Sequence, residues 1–535
     1  MKLKNTLLLA LIFLAPLLIS VPLTKLVYLP LTYSVVLGMF TGAFSFINFL
    51  RYRVVSRKYR KRMLIPVSDR RIAAVIAVYN EDPEIVRGTA ISVLSALKGR
   101  GDVFVLDDSD REDVRRGIDE LEKLGIRIFR REARRGYKAG AVNDFLRVFG
   151  DDYDLIAIFD ADQRPLPSFF DELLPHFDDS VAFVQAPQAY TEVYTGVGEA
   201  AFWQQQPFLR VIMRARTPFS LGSGTVFRVR CLKDVGGLDE KTITEDVSTS
   251  IDLHSMGYRS VYVDRELLWF GIPPLDLKAY ISQQSRWAFG SFQILGKLLK
   301  SNLDFRTFVD YFAGWLYWLK VGPVTLAEMM APVFFLLFSI RFMLLDPVLY
   351  LAVYIPFFAS TLSVFLAGMR DAGYGLRAFL HHQSIQLLEF WAVTSAFISW
   401  ILGRKRPFSV TPKKAGKFPL KLLTPHLLVL GLLVASAIRG IVELSSVNTV
   451  KLKLTLLINV MWAAYYIPFL VFGMWMAKKY YGEWKLRFIT PLSSERVCTR
   501  PSPSRRTRQK RASRDSSCRG ILSADLHFQQ SSRTP

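Results

Sequence analysis

Four aspartates at the ends of two apolar runs are candidates for binding a charged ligand. Asp107 and Asp108 follow the first run, and Asp160 and Asp162, separated by one alanine, follow the second. Residues i and i+2 of an extended chain point to the same side, so Asp160 and Asp162 are expected to converge on one ligand. Carboxylate oxygens suit Mg²⁺ or Mn²⁺ bridging two phosphates. An Asp-x-Asp alone is common in solvated turns, and its position after a buried strand is what favours metal binding here.

A second acidic pair, Glu245 and Asp246, is a candidate for proton transfer. Thr242 and Glu245 have the spacing of a capping box, which predicts that a helix starts here. Asp246 then lies in the first turn, where the helix dipole favours its ionised form. An ionised carboxylate in a cleft can accept the proton of an attacking hydroxyl group. The alternative is that both acids only stabilise the helix start.

Gln283, Arg286 and Trp287 lie on a predicted amphipathic helix just before the chain becomes strongly apolar. At this spacing the three side chains share one helical face. Arginine can hold a diphosphate through two parallel hydrogen bonds, and tryptophan offers a flat face for a sugar ring. An Arg-Trp pair beside a membrane is also a common interfacial anchor, so these residues alone leave both interpretations open.

The elements that must position these residues form a predicted α/β domain over residues 70–276. Strands are predicted at 72–78, 103–106, 126–129, 155–159, 181–185 and 260–263, with helices between them such as 84–97 and 138–149. This alternation predicts a largely parallel sheet, whose ligands bind at the carboxyl ends of the strands. Tyr79 and Glu81 follow the first strand, where an aromatic ring and a polar group could hold a base.

Apolar segments flank this domain on both sides. Two of them, at 6–23 and 28–50, predict an uncleaved N-terminal transmembrane hairpin, because each approaches the ~20 residues that cross a bilayer. The linker 51–69 carries seven basic residues between positions 51 and 62, which places the following domain in the cytoplasm. Further spans are predicted at 323–342, 348–367, 425–441 and 454–476, giving six in total.

The remaining segments of the second half are predicted to lie outside the bilayer core. Residues 277–322 are expected to form interfacial helices. The helix 384–402 is also placed in the interface, with Glu389, His381 and His382 near the water, because a further span would move the basic loop 403–417 outside. The tail 481–535 is basic and is expected to be disordered.

Composition supports a membrane protein with a soluble domain. Of 535 residues, 51% are hydrophobic and 21% are charged. Three cysteines are too few and too scattered for a disulfide framework or a structural zinc site. The net charge of +23 includes ten basic and three acidic residues after position 490, and much of the rest flanks apolar segments. This distribution indicates contact with the lipid bilayer rather than a specific nucleic acid.

The order of the motifs resembles one enzyme family. Tyr-Asn-Glu, Asp-Asp, Asp-Ala-Asp, Thr-Glu-Asp and Gln-x-x-Arg-Trp follow one another between two membrane regions. Over residues 70–414 the chain resembles the processive family 2 glycosyltransferases, the cellulose synthase and hyaluronan synthase group, and within it the cellulose synthase catalytic subunits. The resemblance implies a GT-A domain with a mixed, mostly parallel sheet, a UDP-sugar donor, an inverting hexosyl transfer and a growing polysaccharide extruded through the enzyme's own helices across the plasma membrane.

The resemblance also implies roles for individual residues. Nucleotide-sugar binding falls to Tyr79, Glu81, Asp107, Lys138, Asp160, Gln283 and Arg286. Asp162 is the expected metal ligand and Asp246 the expected catalytic base. The acceptor is expected at Gly222, Ser223, Glu245 and Trp287.

Two loops extend the resemblance and bear on the product. Residues 219–224 are similar to the acceptor loop of cellulose synthases, although Leu221 replaces its cysteine and so leaves the acceptor sugar open. Phe408, Thr411 and Lys413 match the gating loop of bacterial cellulose synthases, which favours UDP-glucose and a cellulose-like β-glucan. The chain after the last predicted span is too short for their regulatory cyclic-dinucleotide domain, so we expect no such regulation.

Two other functions fit part of the sequence. A non-processive transferase acting on a polyprenyl-phosphate or other lipid would share the metal and base residues without needing the Arg-Trp helix or the gating loop. A membrane scaffold or transport component could retain a degenerate transferase domain. A polymer synthase, in contrast, needs an aromatic-lined path, for which the candidates are Trp287, Phe289, Trp315, Trp318 and Trp391. The need for an accessory export protein is left open.

Overall fold

The computed structural model describes residues 38–44, 47–48, 51, 70–190, 193, 195–269, 271–341, 346–370, 373–406 and 420–479. Most of the predicted N-terminal hairpin and linker lies outside the described residues. The predicted gating-loop residues Phe408, Thr411 and Lys413 and the tail 481–535 lie outside them as well. These assignments therefore stay predictions.

A seven-stranded sheet precedes the long apolar helices. The strands are β1 Ile72–Val78, β2 Gly101–Asp107, β3 Arg127–Phe129, β4 Leu155–Asp160, β6 Val181–Gln185, β7 Thr225–Arg228 and β8 Arg259–Tyr262, and a separate small pair consists of β5 Arg164–Pro165 and β9 Leu268–Trp269. The order in the sheet is β3-β2-β1-β4-β7-β6-β8. Within this sheet, as far as the described residues define it, β7 alone runs antiparallel to its neighbours, β4 and β6. The predicted mixed, mostly parallel sheet is thus confirmed, as are its six predicted strands, whereas β5, β7 and β9 were not predicted.

The strands are apolar along their whole length because both faces of the sheet are covered. In β1, Ile72, Ala74 and Ile76 pack into a core on one face, and Ala73 and Val75 pack into a second core on the other. Burial on both faces removes water from the sheet and leaves polar side chains to collect at the strand ends.

Fifteen α-helices with defined bounds follow residue 82, and the described residues 38–44 are helical as well. In the first half they are α1 Pro83–Leu97, α2 Glu112–Asp119, α3 Tyr137–Phe149, α4 Phe169–Leu173, α5 Gly196–Ala215, α6 Val229–Asp234 and α7 Glu245–Ser255. In the second half they are α8 Leu277–Gln293, α9 Leu295–Lys300, α10 Phe305–Leu319, α11 Thr325–Phe338, α12 Pro347–Met369, α13 Leu376–Ile401, α14 Thr424–Ser446 and α15 Val450–Met476.

Helix α7 starts differently from the prediction. Its N-cap residue is Thr244, whose side chain makes no capping hydrogen bond, whereas the Thr242 hydroxyl donates to Asp239. The predicted capping box is therefore wrong, because the chain turns into the helix two residues later than a Thr242 cap requires. Asp246 nevertheless lies in the first turn, as predicted.

Five helical segments of the described chain are long and apolar enough to cross a membrane: Phe305–Phe338, Pro347–Met369, Leu376–Ile401, Lys421–Ser446 and Val450–Met476. The chain is accordingly a membrane protein. The first segment joins α10 to α11 through the π-helical turn Lys320–Val324, so the helix is continuous across residue 323, and the boundary predicted there between interfacial helices and a span stays a prediction.

Helix α13 also departs from the prediction. Glu389 is fully buried, and His381 and His382 are only 6% and 2% exposed, so the expectation that they lie near water is wrong. They pack inside the protein because α13 runs through the helical bundle, beside α8, α11 and α15. Whether α13 lies in the interface or crosses the membrane stays a prediction.

Candidate functional site

The polar residues after β1, β2 and β4 meet at one edge of the sheet. Val78 pairs with Asp107 across β1 and β2, and Ala77 pairs with Asp160 across β1 and β4. Because β7 runs antiparallel, the loop that precedes it, with Gly222 and Ser223, reaches the same edge. The sheet therefore brings strand ends from residues 79 to 160 together with the acceptor-loop candidates.

Lys138 connects three parts of this edge. Its Nζ lies 3.1 Å from Asp160 Oδ1 and 3.6 Å from Glu245 Oε1, and it donates a hydrogen bond of 3.2 Å to the Gly222 carbonyl oxygen. Burial acts to lower the pKa of Lys138, but the carboxylates of Asp160, Glu245 and Asp246 raise it above its ordinary value. The ammonium group therefore stays charged at the centre of the acidic residues.

Asp246 has the protonation behaviour of a base that works near neutral pH. Burial, followed by the neighbouring charge of Glu245, raises the pKa of Asp246 to about 7, although Lys138 opposes the shift. The helix dipole was expected to favour the ionised form, and in the structure burial and Glu245 outweigh the groups that lower the pKa. A pKa near the operating pH gives a stronger base than an ordinary aspartate.

The loop before β7 passes between Lys138 and Asp246. Gly222 has a φ of +78°, and a Cβ atom there would lie 2.9 Å from Lys138 Nζ and 3.2 Å from Asp246 Oδ2. Glycine is required on both counts, since larger residues rarely adopt this backbone conformation and would meet the two charged groups. Next to it, the Ser223 hydroxyl accepts a hydrogen bond of 3.0 Å from the Asp160 backbone N–H.

Gln185, which sequence reasoning missed, holds this loop. Its Nε2 donates to the Ser223 carbonyl at 2.9 Å, and its Oε1 accepts from the Leu221 N–H at 2.8 Å. The residue is fully buried at the end of β6. The only signal in the sequence was a lone amide at the end of an apolar strand.

Asp160 and Asp162 are less alike than the sequence suggested. The Gln163 N–H donates to the Asp160 carbonyl at 3.1 Å, which closes a turn, so the predicted extended geometry is wrong. The Asp160 side chain is 42% exposed, whereas Asp162 is 8% exposed and accepts a 3.4 Å hydrogen bond from the Ile272 N–H. Within the described chain no group of three or more His, Cys, Asp or Glu residues is placed to hold a metal. Two carboxylates still fit Mg²⁺ or Mn²⁺, which takes its other ligands from water and phosphate.

The residues predicted to bind the nucleotide lie together at the β1–β2 side of the edge. The Arg134 guanidinium carbon lies 3.3 Å from the centre of the Tyr79 ring, and the Tyr79 hydroxyl donates to Asp110 at 3.0 Å. Asp107 is fully buried at its side chain and accepts hydrogen bonds from Arg130 and from the Ser109 N–H. A base that stacks on Tyr79 must therefore displace Arg134, which sequence reasoning had not identified.

Glu81 is the third predicted base contact. Its carboxylate accepts a hydrogen bond from the Tyr79 backbone N–H. This contact fixes the turn after β1, which keeps the tyrosine ring at the sheet edge.

Helix α8 presents two different faces. Gln283 and Arg286 face the sheet edge, where Arg286 interacts electrostatically with Glu245, Asp160 and Tyr190. Burial lowers the pKa of Arg286, and these three neighbours oppose the shift. Gln284 and Trp287 are the next residues after Gln283 and Arg286, and both line a cavity instead. The predicted single face is thus divided between the two sites.

This acceptor cavity, as we name it, has a volume of about 250 Å³ and is lined by Asp246, Trp287, Trp315 and Trp318 among others. Four of its lining residues carry a buried polar atom with no hydrogen-bond partner among the described residues: Arg216 Nε, Thr244 Oγ1, Gln284 Nε2 and Trp315 Nε1. Three of the five predicted aromatic residues therefore line the cavity. The other two do not, since Phe289 packs in a hydrophobic core and Trp391 is 46% exposed on α13.

A second cavity lies among the apolar helices. It has a volume of about 1000 Å³, and its lining includes Tyr350, Trp462 and Tyr466. The ion pair between Lys320 and Glu328 also lines it. We call it the bundle cavity.

Comparison with protein families identifies the class. Residues 73–236 match the model of glycosyl transferase family 2, and residues 155–368 match that of glycosyl transferase family group 2. Both matched regions include the sheet edge, so the α/β domain is similar to family 2 glycosyltransferases. The predicted resemblance to the family 2 glycosyltransferases is confirmed.

Among curated proteins, the chain is similar to cellulose synthase catalytic subunits. The UDP-forming catalytic subunit of Pseudomonas fluorescens is 27% identical over 410 residues, which cover 73% of this chain and 54% of that protein. The UDP-forming catalytic subunit of Dictyostelium discoideum is 35% identical over 170 residues, covering 29% of this chain and 16% of that protein. The chain thus spans about half the length, or less, of these curated relatives.

Solved structures show only distant similarity. A mannosyltransferase from Pyrobaculum calidifontis, solved with GDP-mannose and Mn²⁺, aligns with a TM-score of 0.47 and 16% identity, covering 69% of this chain and 99% of that one. Glucosyl-3-phosphoglycerate synthase from Mycobacterium tuberculosis aligns with a TM-score of 0.31 and 17% identity, covering 44% of this chain and 81% of that one.

Proposed function

We propose that the protein is a membrane-embedded, inverting and processive glycosyltransferase. It polymerises a nucleotide-diphosphate sugar, UDP-glucose by our expectation, into a β-linked glucan and translocates the chain across the plasma membrane. The acceptor cavity carries the proposal. Its lining includes Asp246 together with Trp287, Trp315 and Trp318, whose flat faces suit the rings of a sugar chain.

In this proposal Asp246 acts as the general base. A hydroxyl oxygen of the acceptor attacks the anomeric carbon of the donor, and the carbon–oxygen bond to the diphosphate breaks on the opposite side. The hydroxyl proton passes to the Asp246 carboxylate. The raised pKa of Asp246 supports this step, because the group accepts a proton readily at neutral pH.

The departing diphosphate is assigned to the cationic side of the same edge. Lys138 and Arg286 both interact with Asp160, and this pair of cations beside one carboxylate supports a diphosphate position there. Asp160 and Asp162 would hold Mg²⁺ or Mn²⁺, and such an ion, when bound, neutralises charge on the leaving group. Arg286 adds a planar donor that suits phosphate oxygens.

Separate observations support the choice of a UDP-sugar as donor and of a polymer as product. The cellulose synthase relatives are UDP-forming, which favours a UDP-sugar. The bundle cavity lies among apolar helices, but its lining includes the Lys320–Glu328 pair and several aromatic residues. A glucan that passes through needs such polar groups for its hydroxyls and such rings for its sugar faces.

A donor panel tests the proposal. The purified full chain in lipid nanodiscs is incubated with UDP- and GDP-sugars, and the product is sized and digested with a β-glucanase, with Asp246→Asn as the inactive control. We expect a high-molecular-weight, glucanase-sensitive product from a single UDP-sugar. A lipid that carries one sugar would replace the proposal with the lipid-acceptor transferase, and no transfer from any donor would favour the scaffold.

A further inference from the structure

Glu389 is a buried carboxylate in the apolar helix α13. It is fully buried, and its Oε1 accepts hydrogen bonds from Gln204 Nε2 at 2.6 Å and from the Tyr280 hydroxyl at 2.9 Å. Its Oε2 has no partner among the described residues. An ionisable group within an apolar helix is costly, and such groups are usually retained for a function.

The three side chains form a closed cluster, which we call the Glu389 cluster. The Tyr280 hydroxyl also lies 2.5 Å from Gln204 Oε1. The amide of Gln204 is therefore oriented from both ends, with its nitrogen toward Glu389 and its oxygen toward Tyr280. Each residue comes from a different helix, since Gln204 lies in α5, Tyr280 in α8 and Glu389 in α13.

One member of the cluster lines the acceptor cavity, and a second lies on a helix that supplies part of the cavity wall. Gln204 is one of its lining residues. Tyr280 precedes Gln284 by four residues and Trp287 by seven, a spacing that puts all three on one face of α8. Tyr280 therefore anchors the first part of the helix face that carries Gln284 and Trp287.

The cluster also lies where the acceptor cavity gives way to the bundle cavity. Along the continuous segment Phe305–Phe338, residues up to Trp318 line the acceptor cavity, and residues from Lys320 onward line the bundle cavity. On α13, Gln386 lines the bundle cavity, and Glu389 follows it by one helical turn and reaches the wall of the acceptor cavity through Gln204.

We propose that Glu389 is a positioning residue for the acceptor. It fixes the Gln204 amide in the cavity wall and, through Tyr280, sets the position of Trp287, so that the terminal sugar of the growing chain is held in line with Asp246. The inference rests on the proposed polymerising function and extends it to a group remote from the reacting atoms.

Three variants of the cluster test this role. Glu389→Leu removes the acceptor of both hydrogen bonds, Glu389→Gln keeps a carbonyl oxygen in its place, and Tyr280→Phe removes only the hydroxyl. We expect Glu389→Leu to lower kcat for polymer formation by about tenfold or more and to shorten the product, because two buried hydrogen bonds are lost and their donors are left without a partner. The KM for the nucleotide sugar should stay within about twofold, since these bonds do not face the donor. Glu389→Gln should restore most of the chain length, and Tyr280→Phe should fall between the two.

Glu199 provides a matched control. It is a buried carboxylate in α5, and its ion pair with Arg377 and its 3.6 Å contact with His381 join that helix to α13. Glu199→Gln should lower the thermal midpoint without changing product length, and it shows what a purely structural loss looks like.

The outcomes separate this inference from the proposed function. Wild-type rate and product length in both Glu389→Leu and Tyr280→Phe would overturn the role of Glu389 alone. The role would also be overturned if the donor KM rose and the product shortened together, in proportion to the drop in thermal midpoint, as in Glu199→Gln. Such a pattern would mean that the effect is structural. A wild-type enzyme that forms no polymer would overturn the proposed function itself.

Discussion

The two sides of the active site are built on opposite principles. On the donor side, at the sheet edge, charged groups are already paired: Arg130 with Asp107, Arg131 with Asp108 and Lys138 with Asp160. On the acceptor side, aromatic walls surround polar atoms that have no partner among the described residues. The proposed donor is a highly charged molecule that needs a preformed electrostatic field, whereas the proposed acceptor is a neutral chain of sugars. Asp246 is where the two sides meet.

Metal removal should have the largest effect and should act on the donor side only. We expect EDTA to abolish transfer and Mg²⁺ or Mn²⁺ to restore it, because the diphosphate would otherwise leave without charge compensation. Asp162→Ala should weaken UDP binding only when metal is present, as measured by calorimetry with and without the ion. Full activity after exhaustive chelation would contradict the metal assignment.

Asp246→Asn tests the point where the two sides meet. It keeps the shape of the side chain and removes the proton acceptor, so turnover should fall by about 10²–10⁴-fold. Binding of the nucleotide sugar, measured separately, should survive. A variant that keeps more than about a tenth of wild-type turnover would exclude Asp246 as the base.

Trp318→Ala should affect the acceptor side alone. Loss of one wall of the cavity should shorten the polymer several-fold, because about 1–2 kcal/mol of contact with each passing sugar is removed. The KM for the donor should not change. Trp391→Ala is the matched control, since that tryptophan is exposed on α13 and lies outside both cavities. Equal effects of the two substitutions would mean that the cavity does not carry the chain.

The smallest expected effect is a shift in pH dependence. A base with a pKa of about 7 must lose its proton to work, so kcat should rise as the pH increases through 7 and level off above it. Glu245 raises this pKa by its charge, and Glu245→Gln should therefore move the rise to lower pH. An unchanged profile in this variant would show that another group sets the pH dependence.

The donor side was largely predictable from the sequence, and the acceptor side was not. Tyr79, Asp107 and Asp160 were located because strand ends follow from apolar runs, and parallel strands end at one edge. The π-helical turn, the buried environment of Glu389 and the raised pKa of Asp246 depend on contacts between residues far apart in the chain. The strand β7 was missed because its four residues between glycine-rich and basic segments carry no distinctive pattern.

The π-helical turn Lys320–Val324 determines which side chains of the segment Phe305–Phe338 face each of the two cavities. Each residue advances an α-helix by about 100°, and the wider turn changes the rotational phase between α10 and α11. The aromatic residues before the turn thereby face one cavity while Lys320 and Glu328 face the other. Removing one residue here would rotate everything downstream by roughly a quarter of a circle and turn the ion pair away from its cavity. The spacing along this helix, rather than any one side chain, aligns the two halves of the path.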